Sequence, residues 1–154
     1  MATKQIGVIG AGNCGERASA IAEEVGRRIA ESDAILVCGG LGGVMESASR
    51  GAKMAGGTTL GILPGNRRED ANPYIDIAVV SAMGHARNAL IAQSCDALIA
   101  VDGEYGTLSE IALSLTMGKT VVILESKWDI EGVHRATNPE EAVDMAIRLS
   151  DKEN

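Results

Sequence analysis

The sequence predicts an α/β fold in which a doubly wound, mostly parallel sheet of about six or seven strands is covered by helices on both faces. Short aliphatic runs alternate with segments of helical periodicity along nearly the whole chain. Several of these runs end directly in glycine-rich turns. The 154 residues include 19 Gly, one Trp, two Tyr and no Phe, so the core must be small and aliphatic. Parallel strands covered on both faces have this composition.

The predicted elements follow one another regularly. Residues 4–9 form the first strand, and the helix that follows has an aliphatic face that includes Val25 and Ile29. Further strands are predicted at residues 34–38, 58–63, 76–80, 96–101 and 120–124, with a short edge strand near Val133. Further helices are predicted at residues 44–55, at 85–94, from Thr107 to a C-terminal Gly118, and from a capping Asn138 onward. No boundary or repeat divides the chain, so residues 1–154 are predicted to form one domain.

The expected strand order is 3-2-1-4-5-6, in which residues 76–80 are strand four. In a parallel sheet the carboxyl ends of all strands lie at one edge. The glycine turns after strands one, two and five, and the helix start after strand four, are therefore expected to meet at that edge. Ligands bind there, near the point where the strand order reverses.

Charge and cysteine content limit the partners. The net charge is −7 without a basic stripe, so a nucleic-acid partner is not expected. No signal peptide is recognised and no apolar run is long enough to span a bilayer, so a membrane is not expected either. Three cysteines without a pairing pattern predict a reducing, cytoplasmic location.

The turn at residues 10–15 matches the glycine pattern of dinucleotide-binding folds. That pattern also requires an acidic residue at the end of strand two, and this strand ends in Cys38-Gly39-Gly40. We therefore interpret the turn, with Gly12 and Asn13, as one wall of a mononucleotide-sized cleft. A tight turn without a ligand is the alternative.

The turn after strand two contains four glycines: Gly39, Gly40, Gly42 and Gly43. Close approach of the backbone to a ligand is one reason to accept their entropic cost, and close packing of helix on sheet is the other. Glu46, one turn into the next helix, could accept hydrogen bonds from ligand hydroxyls. An acid at that position also interacts favourably with the helix dipole without any ligand.

Arg87 is predicted at a helix start, where a cation opposes the helix dipole. Binding of a phosphate or carboxylate would explain this placement. An ion pair with Glu110 or Glu46, or simple surface exposure, would explain it as well.

The segment that follows strand five supplies the strongest candidate site. Gly103 and Gly106 form a turn, and the helix start after it offers free N–H groups to an anion. Thr107 and Glu110 also have the spacing of a capping box, which would make both residues structural.

Three motifs together resemble the Rossmann-like superfamily of lonely-guy-type nucleotide phosphoribohydrolases, and most closely its short branch of molybdenum cofactor carrier-like proteins. They are residues 38–46 (CGGLGGVME), the pair Arg87-Asn88, and residues 106–110 (GTLSE). The resemblance covers nearly the whole chain and implies a Rossmann-like fold, a homodimer or larger homo-oligomer, and a small phosphorylated ligand.

The same resemblance implies roles for individual residues. Hydrolases of the superfamily cleave the N-glycosidic bond of nucleoside 5′-monophosphates. Carried over, Gly103, Gly106 and Thr107 would bind the phosphate, and Asn88 would be a further ligand-binding residue. Arg87 and Glu110 would be the catalytic pair, with Glu110 stabilising an oxocarbenium-like ribose.

This chain departs from the hydrolase signature at three positions. Asp102 replaces a Pro, Glu104 replaces a Gly, and Asn88 replaces a Lys. These changes remove one cation and add two acids beside the expected anion site. We therefore expect a binding protein for a phosphorylated pterin or nucleotide, with the molybdenum cofactor as cargo and no cofactor or metal required. A nucleoside-monophosphate phosphoribohydrolase is the alternative, so whether the chain is an enzyme stays open.

Overall fold

The computed structural model describes residues 2–152. Within them, seven strands form one sheet in which every neighbouring pair is parallel. The strands are β1 (Gln5–Gly10), β2 (Ile35–Cys38), β3 (Thr59–Leu63), β4 (Ile77–Val80), β5 (Ala97–Val101), β6 (Thr120–Leu124) and β7 (His134–Arg135). The helices are α1 (Glu16–Glu31), α2 (Val44–Met54), α3 (Asn88–Ser94), α4 (Tyr105–Thr116) and α5 (Pro139–Ser150). The predicted fold class, with a short edge strand after β6, is confirmed.

Helices cover both faces of the sheet, as predicted. One aliphatic core joins the strands to α1, α2 and α5, with Val25, Ala48 and Ala142 fully buried. A second core joins the other face of the strands to α3 and α4 through Ile91 and Ile111.

The predicted strand order 3-2-1-4-5-6 is wrong. The observed order is β4-β3-β2-β1-β5-β6-β7, so β4 lies at the outer edge and β1 pairs with β5. Asp76 holds β4 beside β3, because its Oδ2 accepts hydrogen bonds from the Thr59 N–H at 3.0 Å and from Lys53 Nζ at 2.9 Å. The direction in which successive strands are added to the sheet therefore reverses between β1 and β5. All carboxyl ends still lie at one edge, so the expected meeting of the turns is preserved.

The crossover from β3 to β4 carries no α-helix, only a 3-10 turn at Arg68–Asp70. The register pairs Leu60 with Ile77 and Ile62 with Val79, which places these side chains on the face covered by α3 and α4. Ile77 is 49% exposed and Val79 is 42% exposed. This end of the sheet therefore leaves an aliphatic surface open to solvent.

The helix boundaries predicted at Asn138 and at Gly118 are confirmed. Asn138 Oδ1 accepts a hydrogen bond from the Glu141 N–H at 2.9 Å, and Pro139 is the first residue of α5. Gly118, with φ +73°, follows the end of α4. Among residues 2–152, no helix combines the length and the apolar character that crossing a bilayer requires.

Candidate functional site

A cleft of about 400 Å³ lies at the carboxyl edge of the sheet, where the strand order reverses. It is built by the turns that follow β1, β2 and β5 and by the 3-10 turn at Gly84–Arg87 that leads into α3. Eight of the predicted site residues line it: Gly12, Asn13, Gly39, Arg87, Asn88, Gly106, Thr107 and Glu110. Chain segments that are far apart in sequence thus contribute to a single cleft.

Arg87 is the buried cation of this cleft, with only 8% of its surface exposed. One terminal nitrogen, NH1, donates a hydrogen bond to the Ile62 carbonyl at 3.0 Å. Its Nε has no hydrogen-bond partner among residues 2–152. Burial lowers the pKa of the guanidinium, and the nearby Glu110 carboxylate opposes that shift. No carboxylate of residues 2–152 forms an ion pair with Arg87, and a buried cation without an anionic partner is costly, so this arginine is suited to bind an anion.

Gly39 makes room for that arginine. A Cβ at position 39 would collide with the Arg87 guanidinium and lie 2.7 Å from Met45 Sδ. Packing against Arg87 and Met45 therefore explains the glycine at position 39, and no close approach of a ligand is needed to explain it.

Glu110 is the buried acid of the cleft, 9% exposed. Burial raises its pKa to about 7, although Arg87 acts in the opposite direction. No direct ion pair joins Glu110 to Arg87 within the described residues. A carboxyl group that titrates near neutral pH in a cleft is typical of acid–base sites.

The capping-box explanation for Glu110 does not hold. Helix α4 begins at Tyr105 with Glu104 as its N-cap residue, so Thr107 already lies inside the first turn. No side chain caps the helix start. The first N–H groups of α4 thus lie beside the cleft, next to the lining residues Gly106 and Thr107.

Two glycines of the cleft have open space where a Cβ would be. At Gly12 and at Gly106, an added Cβ would meet no heavy atom of the described chain within 4 Å. Neither position has the positive φ that favours glycine. The fold itself therefore gives no reason for glycine at these two positions, whereas close approach of a ligand would.

The five remaining predicted residues do not line the cleft. Gly40, Gly43 and Gly103 have positive φ angles of +77°, +63° and +114°. A Cβ at Gly42 would lie 3.2 Å from the Gly12 carbonyl oxygen. Glu46 is partly buried in α2 and is absent from the lining.

The structure adds cleft residues that were not predicted to bind ligand. His85 is exposed and lines the cleft, and Glu104 lines it next to α4. Lys127 Nζ lies 2.7 Å from Glu104 Oε2. The position of His85 beside Arg87 is a sequence signal, but nothing in the local sequence links Lys127 to this cleft.

A larger groove of about 700 Å³ lies between α1 and α2, with Cys14 and Gly15 of the turn after β1 in its lining. Its two arginines are paired and partly exposed: Arg50 Nε lies 2.6 Å from Glu23 Oε2, and Arg27 contacts Glu24. Because its cations already have partners, this groove has less capacity for an anion than the cleft at the strand ends.

Comparison with known proteins agrees with this architecture. The family model LDcluster4, described as the SLOG cluster4 family, matches residues 3–152. The chain belongs to the SLOG cluster4 family.

Two relatives share sequence similarity with this SLOG cluster4 chain. It is 49% identical over 152 residues to an uncharacterized protein from Archaeoglobus fulgidus, covering 99% of this chain and 100% of that protein. It is 34% identical over 118 residues to the rice cytokinin riboside 5′-monophosphate phosphoribohydrolase LOG. That match covers 74% of this chain and 44% of the rice enzyme, so the chain spans less than half the length of that relative.

Two solved structures match the SLOG cluster4 chain over nearly its whole length. The molybdenum cofactor binding protein from Rippkaea orientalis superposes with a TM-score of 0.91 at 35% identity, covering 97% of this chain and 98% of that one. The molybdenum cofactor carrier protein from Chlamydomonas reinhardtii superposes with a TM-score of 0.87 at 35% identity, covering 97% and 99%.

Proposed function

We propose that the chain binds a phosphorylated pterin or a nucleotide through its phosphate group, with the molybdenum cofactor as the leading candidate cargo. The observation that carries this proposal is Arg87, a nine-tenths buried guanidinium that lines the cleft and has no ion pair within residues 2–152. A phosphate group in the cleft would supply the anionic partner that this guanidinium lacks.

The surroundings of Arg87 suit a phosphate. The uncapped start of α4 contributes N–H groups and the positive end of the helix dipole. Gly12 and Gly106 leave room for the ligand to approach the backbone closely. These donors fit the phosphate end of the proposed cargo, and Arg87, Gly12 and Gly106 are the residues that would hold it.

The comparisons support a carrier role more than a hydrolytic one. The molybdenum cofactor proteins match over nearly the full length of both chains, whereas the rice phosphoribohydrolase matches over part of each. Asn88 and Glu104, which depart from the hydrolase signature, both line the cleft.

A second candidate function, nucleoside 5′-monophosphate phosphoribohydrolase, is favoured by Glu110. Its carboxyl group is buried in the same cleft, and its pKa of about 7 would let it exchange a proton at neutral pH. Such a carboxylate could stabilise a positively charged ribose during cleavage of the N-glycosidic bond.

One assay separates the two functions. The protein is incubated with AMP, GMP, CMP and IMP, and the products are analysed by chromatography, while calorimetry measures binding of the isolated molybdenum cofactor. Binding of the cofactor without release of base is the result expected of a carrier. Release of base that is lost in Glu110→Gln would overturn the carrier assignment and establish the hydrolase.

We also propose that the protein forms a cytoplasmic homodimer or larger homo-oligomer through the exposed aliphatic surface at β4. Ile77 and Val79 are 49% and 42% exposed there, and Leu90 on α3 is 37% exposed. Exposed apolar patches of this kind mark interaction sites. Light scattering should show an oligomer whose mass falls in Val79→Lys, and a wild-type monomer would contradict this proposal.

A further inference from the structure

Glu104 is an acid in a position that an anionic ligand would need. It immediately precedes α4, has an extended backbone with φ −111° and ψ −156°, and lines the cleft. A carboxylate at a helix N-terminus is attracted by the helix dipole and by the free N–H groups. If Glu104 turned toward those groups, it would occupy the anion site from within the chain.

The Glu104 carboxylate is instead held by Lys127. Lys127 Nζ lies 2.7 Å from Glu104 Oε2, and Glu104 makes no side-chain cap on α4. The Lys127 and Glu104 side chains are 54% and 72% exposed, so solvent weakens their attraction and only a modest effect on binding is expected.

Aromatic contacts fix the position of Lys127 relative to α4. Its Nζ lies 5.2 Å from the centroid of the Trp128 ring. Trp128 in turn packs against Tyr105, the first residue of α4, with ring centroids 5.7 Å apart. The lysine is therefore positioned by the helix start whose acid it binds.

We propose that Lys127 is a positioning residue that holds the Glu104 carboxylate away from the N-terminus of α4, so that an external phosphate can bind there. This inference rests on the proposed phosphate-binding function of the cleft. Lys127 acts through Glu104 and makes no contact with the ligand. It restores locally the positive charge that the acid at position 104 removes.

A double-mutant cycle tests this role. Calorimetry measures AMP binding to the wild type, Lys127→Met, Glu104→Gln and the double variant, and inorganic phosphate serves as a second probe. We expect Lys127→Met to weaken binding about fivefold, in proportion to an exposed ion pair. In the Glu104→Gln background the same substitution should have no effect, because the competing carboxylate is gone.

A matched control uses another exposed ion pair at the same edge of the sheet. Arg17 NH2 lies 2.7 Å from Glu125 Oε1, and neither residue lines the cleft. Arg17→Met should leave AMP binding unchanged. The loss caused by Lys127→Met should also shrink at high salt, which screens the freed carboxylate.

The possible failures are distinguishable. A wild type that binds neither AMP nor inorganic phosphate defeats the phosphate-binding function itself. A wild type that binds AMP, with equal losses from Lys127→Met in both backgrounds, would mean that Lys127 contacts the ligand directly, and the inference is wrong. No loss from Lys127→Met in the wild-type background would also overturn it.

Discussion

The cleft at the strand ends and the groove between α1 and α2 differ in how far their charged side chains are buried and paired. The groove is the larger of the two, and its arginines are partly exposed and paired with glutamates. The cleft is smaller, and its arginine and glutamate are buried without pairing directly with each other. Burying a charge without a partner costs free energy of folding. A buried and unpaired charge is therefore an indication of a ligand-binding site. The size of a depression is a weaker guide than the state of its charges.

The largest expected effect tests the buried acid. Above about pH 7 the Glu110 carboxyl must ionise while buried, whereas in the unfolded chain it ionises near 4.5. Glu110→Gln should therefore raise the free energy of unfolding at pH 8 by about 3 kcal/mol relative to the wild type. The difference should decline as the pH falls from 7 and vanish below 4.5, as measured by denaturant unfolding across pH.

The groove provides the control for that experiment. Glu23 is partly exposed and paired with Arg50. Glu23→Gln should change stability by less than about 1 kcal/mol. A pH-independent gain in Glu110→Gln would show that burial does not raise the pKa of this group, and would remove half of the contrast between the two regions.

The next effect concerns the buried cation. Arg87→Met should weaken binding of AMP by about 10- to 100-fold, since charge-assisted hydrogen bonds to a phosphate are lost. The melting temperature should stay level or rise, because a methionine fills the volume without a buried charge. Calorimetry and thermal unfolding measure the two quantities, with Arg50→Met as the counterpart in the groove that keeps full binding. A large drop in melting temperature with binding intact would make Arg87 structural.

The smallest effect separates glycines that face a ligand from glycines that face solvent. Gly106→Ala should strengthen α4 by up to about 1 kcal/mol, because alanine favours the helix. The added methyl group should nevertheless weaken AMP binding, since it enters the space beside the anion site. Gly15, which lines the groove and also has open space around it, is the matched control. Equal binding in Gly106→Ala and Gly15→Ala would argue against close approach of the ligand at Gly106.

The sequence predicts correctly the structural features that depend on residues close together in the chain. The aliphatic runs and glycine turns locate the strands, and Asn138 and Gly118 mark helix ends correctly. The place of β4 was predicted wrongly because Ile77–Val80 has the composition of a central strand. Asp76 places β4 beside β3 through its contacts with Thr59 and Lys53. No local sequence pattern predicts these contacts.

The candidate site follows the same rule. Arg87 and Glu110 were selected because each lies near the start of a helix that follows a strand, and because both match motifs of the superfamily that the sequence resembles. The capping-box hypothesis failed because α4 starts at Tyr105, two residues before the proposed cap. Lys127 was missed because its partner Glu104 is 23 residues away in sequence, with α4 and β6 between them.

The anchoring of Arg87 to the Ile62 carbonyl and against Gly39 has a consequence for the thermodynamics of binding. A free arginine side chain loses on the order of 2 kcal/mol of rotamer entropy when it becomes ordered. Here that ordering happens when the chain folds, so a ligand meets a guanidinium that is already oriented. A variant that loosens this anchor should still bind the same anion, but with a less favourable entropy.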